Sequence, residues 1–182
     1  MNRTLNSEKV ISPAKFAHIV LRTRKLEEAV AWYAEVLGAH PVFKNEFAAF
    51  LTYDDEHHRI ALIATGQDER PPGGAVGLDH FACGFDDFGD LMSNYKRLRD
   101  AGIVPVWAVN HGPTTSLYYE DPDGARLELQ VDNFATEAEL KGWMEGPAFA
   151  ANPIGVEFDA DKLLARYEAG DPLEELKAQG SA

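Results

Sequence analysis

Asp79-His80-Phe81-Ala82-Cys83, written beneath Ala17-His18-Ile19-Val20-Leu21, aligns two histidines at an offset of 62 residues, each in a short β-prone run followed by a helical pattern. The helices align at the same offset. Residues 26–37 (LEEAVAWYAEVL) carry apolar side chains at Leu26, Ala29, Val30, Tyr33, Val36 and Leu37, the spacing of one buried helical face. Residues 88–98 (FGDLMSNYKRL) repeat it with Phe88, Leu91, Met92, Tyr95 and Leu98. Further on, Pro41-Val42-Phe43 matches Pro105-Val106-Trp107 at an offset of 64, and Leu51-Thr52-Tyr53-Asp54-Asp55 matches Leu117-Tyr118-Tyr119-Glu120-Asp121 at an offset of 66. Strands at 59–64 (RIALIA) and 126–131 (RLELQV) close the two copies. Small drift of this kind belongs in loops. Each copy therefore reads strand, helix, strand, strand, strand.

A unit of about 60 residues buries too little surface to be comfortably stable alone, so two copies are expected to cover each other. The fold expected is α+β, with two βαβββ modules paired around a common metal-containing cavity and a C-terminal helical and extended tail. The repeat spans 14–133, with modules at about 14–65 and 77–133, and the tail spans 134–182. In such a pairing the first and last strands of both copies point residues toward one pseudo-twofold axis.

His18, His80 and Glu128 are the candidate metal ligands. Two imidazoles and one carboxylate form the set that holds Fe(II) on one face and leaves the opposite positions open to substrate and dioxygen, and Mn(II) accepts the same hard donors. At the offset of 66 the counterpart of Glu128 is Leu62, which cannot bind a metal, so the expected site stays open. Taken singly, a strand histidine is often structural, and Glu128 between Leu127 and Leu129 reads as a solvated residue. Their equivalence in a repeat reverses that judgement.

Strand alternation supplies catalytic candidates. If Leu62 faces the cavity, Ile60 and His58 share its face while His57 and Arg59 take the other, so His58 is the better acid/base group. The same alternation runs Tyr118, Ser116 and Thr114 along one face in the second copy, with His111 at the strand's entrance. Tyr118 competes with Tyr119, and parity relative to the turn does not separate them. Asp121-Pro122-Asp123-Gly124 closes the turn into the Glu128 strand, since Pro fixes φ and Gly accepts φ > 0. Cys83 falls on the face opposite His80 and reads as packed; His40 reads as a loop residue. Phe43, Phe50 and Trp107 read mainly as core, with the lining of an aromatic substrate pocket as the alternative.

These residues carry a family resemblance. DHFACG, HGPTTSLYYEDPDGARLELQ and DDEHHRIAL, in paired strand-helix-three-strand units, resemble the vicinal oxygen chelate superfamily and, within it, the one-domain type I extradiol ring-cleaving dioxygenases. The resemblance covers residues 14–133. It implies iron ligands at His18, His80 and Glu128, an acid/base histidine at His58, and further active-site groups at His111 and Tyr118. Ten residues separate Tyr118 from Glu128, with the turn between them, as the family pattern requires. Two departures stand out, a short stretch from His111 to Tyr118 and a long one at 66–77. The implied reaction binds a catechol through both oxygens, passes a proton to His58 and inserts both atoms of dioxygen into the ring next to the diol, the chemistry of aromatic hydrocarbon catabolism.

Two other readings belong to the same fold. A glyoxalase-type isomerase or lyase generally uses a fourth protein ligand, which Leu62 does not provide. A metal-free drug-sequestering protein has no use for His18, His80 and Glu128.

Composition narrows the partners. Thirty acidic against 17 basic residues give a net charge of −13, which argues against nucleic acid or an anionic membrane surface. A single cysteine excludes an intrachain disulfide framework and suits a reducing cytoplasm. The opening MNRTLNSEKVISPAK has no secretory h-region, and no run approaches a membrane span. In the tail, Thr136-Glu137-Ala138-Glu139 predicts a capping box for a short helix, and Asp171-Pro172-Leu173-Glu174 predicts another. Residues 152–158 (NPIGVEF) are expected extended and 161–168 helical. Trp143, Met144, Phe149 and Ile154 need burial, on this chain or in a homo-oligomer.

Overall fold

Strand alternation in the two copies produces two mixed sheets, each backed by one helix. A computed structural model describes residues 10, 12–67 and 75–182. The opening segment 1–9 and most of the 66–77 stretch, both read in the sequence, lie outside the described residues. The chain divides into two compact units, residues 1–67 and 68–182.

The first unit runs β1 (Ile19–Thr23), α1 (Leu26–Leu37), β2 (His40–Lys44), β3 (Ala48–Thr52) and β4 (Ile60–Ala64). Its sheet order is β1-β4-β3-β2, with β1 parallel to β4 and the other pairs antiparallel. α1 buries Leu26, Ala29, Val30, Tyr33 and Val36, the expected stripe, and ends where Gly38 takes a left-handed φ of 65°. His18 lies one residue before β1 rather than inside it, and His40 begins β2 rather than sitting in a loop.

The second unit runs β5 (His80–Phe85), α2 (Phe88–Asp100), β6 (Trp107–Asn110), β7 (Thr114–Glu120) and β8 (Arg126–Asp132). The tail follows as α3 (Glu137–Met144), α4 (Pro147–Ala151), β9 (Val156–Glu157), α5 (Ala160–Glu168) and α6 (Leu173–Leu176). Its sheet order is β5-β8-β7-β6-β9, so the tail adds a short fifth strand to the repeat's four. Asp87 caps α2 by accepting from the Asp90 amide. The β7–β8 turn is held by Asp121, whose Oδ1 accepts from the Asp123 and Ala125 amides, while Gly124 takes φ 79°.

Residues paired across neighbouring strands share a face, so register assigns the two sides of this second sheet. Leu127, Leu129 and Val131 of β8 lie with Tyr119, Leu117 and Thr115 of β7 on one buried face, the side packed by α2. Glu128 lies with Tyr118, Ala82 and, one pair along, His80 and Arg126 on the other. The sheet thus has an apolar helix side and a polar side. Cys83, paired with Leu129, falls on the helix side as expected.

The tail packs on the second unit. Tyr95 Oη and Arg99 Nη1 of α2 both donate to Asp161 of α5, and Tyr167 of α5 meets Phe88. Burial, reinforced by the Asp161 charge, pushes the Tyr95 phenol up to about 12. Thr136 and Glu139 form the expected capping box of α3. The second predicted box is absent: Pro172 stands at the N-cap of α6 with no side-chain bond, because the Asp171 carboxylate pairs with Arg166 instead. Of the four apolar side chains expected to need burial, Trp143 and Phe149 pack together, whereas Met144 and Ile154 stay exposed. No helix among the described residues is long and apolar enough to cross a membrane.

Tyr119 offers a test of the two-faced sheet. Its ring is fully buried and its Oη lacks a hydrogen-bond partner among the described residues. Leaving such a group unpaired costs stability that removing it recovers. Tyr119→Phe is therefore expected to raise unfolding stability by up to about 1 kcal/mol in urea titration. A clear loss of stability would contradict the assignment.

Candidate active site

Two residues of the parallel β5–β8 pair make the centre of the polar face. His80 opens β5, Glu128 is the third residue of β8, and the register Ala82↔Glu128 and His80↔Arg126 places both on one side. His80 Nε2 stands 3.1 Å from Glu128 Oε2, and the Glu128 side chain is only 6% exposed. On the other edge of the ring, His80 Nδ1 lies 2.8 Å from Asp79 Oδ2. A carboxylate accepts, so Nδ1 carries the hydrogen, and a neutral His80 then presents the Nε2 lone pair to the carboxylate. Two acceptors face each other at hydrogen-bonding distance, and a proton or a cation must lie between them. An imidazole oriented by a carboxylate, with a buried carboxylate beside it, is the donor chemistry that a divalent metal requires.

Around this pair stand the other groups of the second unit. Tyr118 pairs directly with Glu128 across β7–β8, and its ring meets His80 edge-on at 5.2 Å. Register separates what parity left open: Tyr118 is on the polar face and Tyr119 on the helix face. Burial, then the Glu128 charge, push the Tyr118 phenol up from its ordinary value, so it remains a hydrogen-bond donor. Its Oη lies 2.9 Å from His111 Nε2. Trp107, paired with Tyr118, lies on the same face at 4.8 Å between rings, and Thr114 Oγ1 contacts Ser116 Oγ at 3.0 Å farther along. Trp107 is thus a half-exposed wall of the polar face and not core, so the β6–β7 register favours the second of its two readings.

The first unit gathers three imidazoles. The His18 ring is 4.4 Å from His58 and 6.4 Å from His57, and His57 Nδ1 is 2.6 Å from His58 Nδ1. His58 stacks on Phe50 at 5.1 Å, and Phe50 in turn meets Phe43 at 5.3 Å. Desolvation chiefly, then the neighbouring His18 and His57, lower the His58 pKa and favour its neutral form. Phe43 is exposed and Phe50 half-buried, so neither is the core residue expected from sequence. Within neither unit does a group of three or more His, Cys, Asp or Glu side chains form a metal-holding cluster among the described residues.

Register also corrects the place given to Leu62. Glu128 pairs with Ala82, two residues beyond His80; two residues beyond His18 stands Val20, whose partner is Ala61. The counterpart of Glu128 is therefore Ala61, at an offset of 67. Leu62 pairs with Leu21 and Ala49 on the opposite face, where Leu62 and Ala49 are fully buried. His58 reaches Phe50, the partner of Ala61, because residues 53–59 bend before β4 begins, not because it alternates with Leu62. The expectation of an apolar fourth position survives with a different residue.

Asp79 escaped the sequence reading, although a carboxylate adjoining a candidate ligand histidine was there to be seen. With this geometry in place, the comparisons with known proteins are informative. Residues 15–129 match the model of the Glyoxalase/Bleomycin resistance protein/Dioxygenase superfamily. The chain is 45% identical over 164 residues to biphenyl-2,3-diol 1,2-dioxygenase 2 of Rhodococcus globerulus, covering 89% of this chain and 86% of that one. It is 47% identical over 171 residues to biphenyl-2,3-diol 1,2-dioxygenase 3 of the same organism, covering 92% and 90%. Among solved structures, a lactoylglutathione lyase from Agrobacterium tumefaciens matches with TM-score 0.53 at 23% identity, covering 65% of this chain and 94% of that one, a likeness of fold alone.

Asp79 generates the prediction of this site. Removing an outer partner of a ligating histidine typically costs about 10–100-fold in metal affinity. Asp79→Ala should weaken divalent-cation binding by about tenfold or more in a competition titration with a chromophoric chelator. Unchanged affinity would remove Asp79 from the site.

Proposed function

Because the chain belongs to the Glyoxalase/Bleomycin resistance protein/Dioxygenase superfamily and aligns along most of its length with two biphenyl-2,3-diol 1,2-dioxygenases, we propose that it is an Fe(II)-dependent extradiol dioxygenase cleaving a catechol-type ring, with a dihydroxybiphenyl as the favoured substrate. The observation that carries this reading is the His80–Glu128 pair, oriented by Asp79 on the polar face of its sheet. His18 completes the proposed ligand set. Mn(II) is the alternative ion for the same donors.

Bound there, Fe(II) supplies Lewis acidity toward the diol oxygens and the electrons that make dioxygen reactive. The chain's own groups divide the remaining work. His58, favoured neutral by desolvation and by its two imidazole neighbours, accepts a hydroxyl proton from the diol and returns it later in the reaction. Tyr118 keeps its proton and donates a hydrogen bond, and His111 holds the Tyr118 hydroxyl in direction. Trp107, beside Tyr118 on the polar face of its sheet, supplies flat apolar surface suited to an aromatic substrate. Ala61, apolar where a four-ligand isomerase needs a donor, supports ring cleavage over glyoxalase-type chemistry.

The decisive assay is oxygen uptake by anaerobically Fe(II)-loaded protein across a panel of catechols that includes 2,3-dihydroxybiphenyl, with the yellow ring-opened product followed by absorbance. Uptake matched by product is expected, and its absence with every catechol would overturn the proposal. In the same assay His80→Ala and Glu128→Ala should fall to background. His58→Ala should retain metal and lose about 10²-fold or more in kcat, the usual contribution of a positioned acid/base group. A His58 variant with wild-type kcat would assign the proton transfer elsewhere.

A further inference from the structure

We propose that tail segment 152–157 is a positioning element for the polar face of the second sheet, fixing the tautomer of His111 and the orientation of Trp107; the inference rests on the reading of that face as the catalytic one. The loop is closed by Asn152, whose Oδ1 accepts from the Gly155 amide at 3.1 Å and whose Nδ2 donates to the Gly155 carbonyl at 2.6 Å. Gly155 has φ +107°, and a Cβ placed there would lie 2.3 Å from the Asn110 carbonyl oxygen and 2.6 Å from His111 Cα. Only glycine permits this approach.

The approach presents the Ile154 carbonyl to His111 Nδ1, which donates to it. A carbonyl is an acceptor only, so Nδ1 holds the hydrogen, and Nε2 is the ring nitrogen that faces Tyr118 Oη at 2.9 Å. The tail backbone thereby sets which ring nitrogen faces Tyr118 Oη, a phenol that also hydrogen-bonds the Glu128 carboxylate. Two residues on, β9 pairs with β6 through Val109↔Glu157 and Asn110↔Val156, and Glu157 Oε1 accepts from Trp107 Nε1 at 2.8 Å. Trp107 meets His111 edge-on at 5.6 Å, so both contacts serve one aromatic cluster. The end of the chain braces the same point from the other side: Asn110 Nδ2 donates to the Lys177 carbonyl at 2.9 Å, and Gln179 Nε2 donates to the Asn110 carbonyl at 3.0 Å. A repeat-only sheet ending at β6 has none of these contacts.

The test uses the full chain carrying ¹⁵N-labelled histidine, with Gly155→Ala, Asn152→Ala, Glu157→Leu and Glu157→Gln. Long-range ¹⁵N–¹H correlation on metal-free protein reads the His111 tautomer without activity. The wild type should show Nδ1–H, and Gly155→Ala should lose it to a mixture; Asn152→Ala, which opens the loop and keeps the glycine, gives the same answer if Gly155→Ala does not fold. In the Fe(II)-loaded enzyme Gly155→Ala should lower kcat about tenfold or more, the scale of a small misplacement at a reacting centre. Glu157→Leu should chiefly raise KM, and Glu157→Gln, which keeps an acceptor oxygen, should restore it. A wild-type His111 in the Nε2–H form, or a tautomer and kcat unchanged in both loop variants, overturns the inference. Wild-type inactivity toward every catechol overturns the functional reading instead, and the tautomer arm still decides this one.

Discussion

Parallel pairing of β5 with β8 governs everything placed on the second sheet. The register Ala82↔Glu128 sends Glu128 to the side of His80, while its neighbours Leu127 and Leu129 go to the side of α2. A slip of one residue would bury Glu128 against the helix and turn Leu127 and Leu129 to the polar face, an exchange that the apolar core opposes. The same apolar alternation that packs α2 therefore presents the carboxylate opposite it. Stability and site geometry are two consequences of one pattern.

Burial on the polar face gives the groups their chemistry. Glu128 is nearly inaccessible, and its Oε2 stands 3.1 Å from His80 Nε2 while Asp79 holds the other ring nitrogen. A buried carboxylate beside an imidazole oriented by a second carboxylate is donor chemistry suited to a divalent cation. Tyr118, desolvated beside that carboxylate, stays protonated, which suits a donor of hydrogen bonds rather than a base. In the first unit desolvation, and then the neighbouring His18 and His57, favours loss of the His58 proton.

Much of this was legible in the residues. Hydrophobic periodicity located both helices and the strand sequence of each copy, because burial of one stripe leaves a spacing that can be counted. Register was harder, because an offset measured in one strand does not carry to the next when the connections differ in length: Phe50 and its partner Ala61 are 11 residues apart, Tyr118 and its partner Glu128 only 10. That is why Leu62 was given the place that Ala61 holds, and why Tyr118 and Tyr119 could be told apart only by their partners on β8. Trp107, Phe43 and Phe50 read as core since an aromatic on a strand usually is; their position on half-open faces depends on which side each helix covers. The bonds from Glu157 to Trp107 and from Ile154 to His111 join residues 50 and 43 positions apart, and no local pattern announces them.

Ring cleavage by a dioxygenase differs from glyoxalase-type isomerisation and from metal-free binding in the fate of oxygen. The most direct measurement is mass spectrometry of the rapidly quenched ring-opened product formed from 2,3-dihydroxybiphenyl by the Fe(II)-loaded protein under ¹⁸O₂. Both labelled atoms in the product are predicted. A product carrying one label or none would contradict the account.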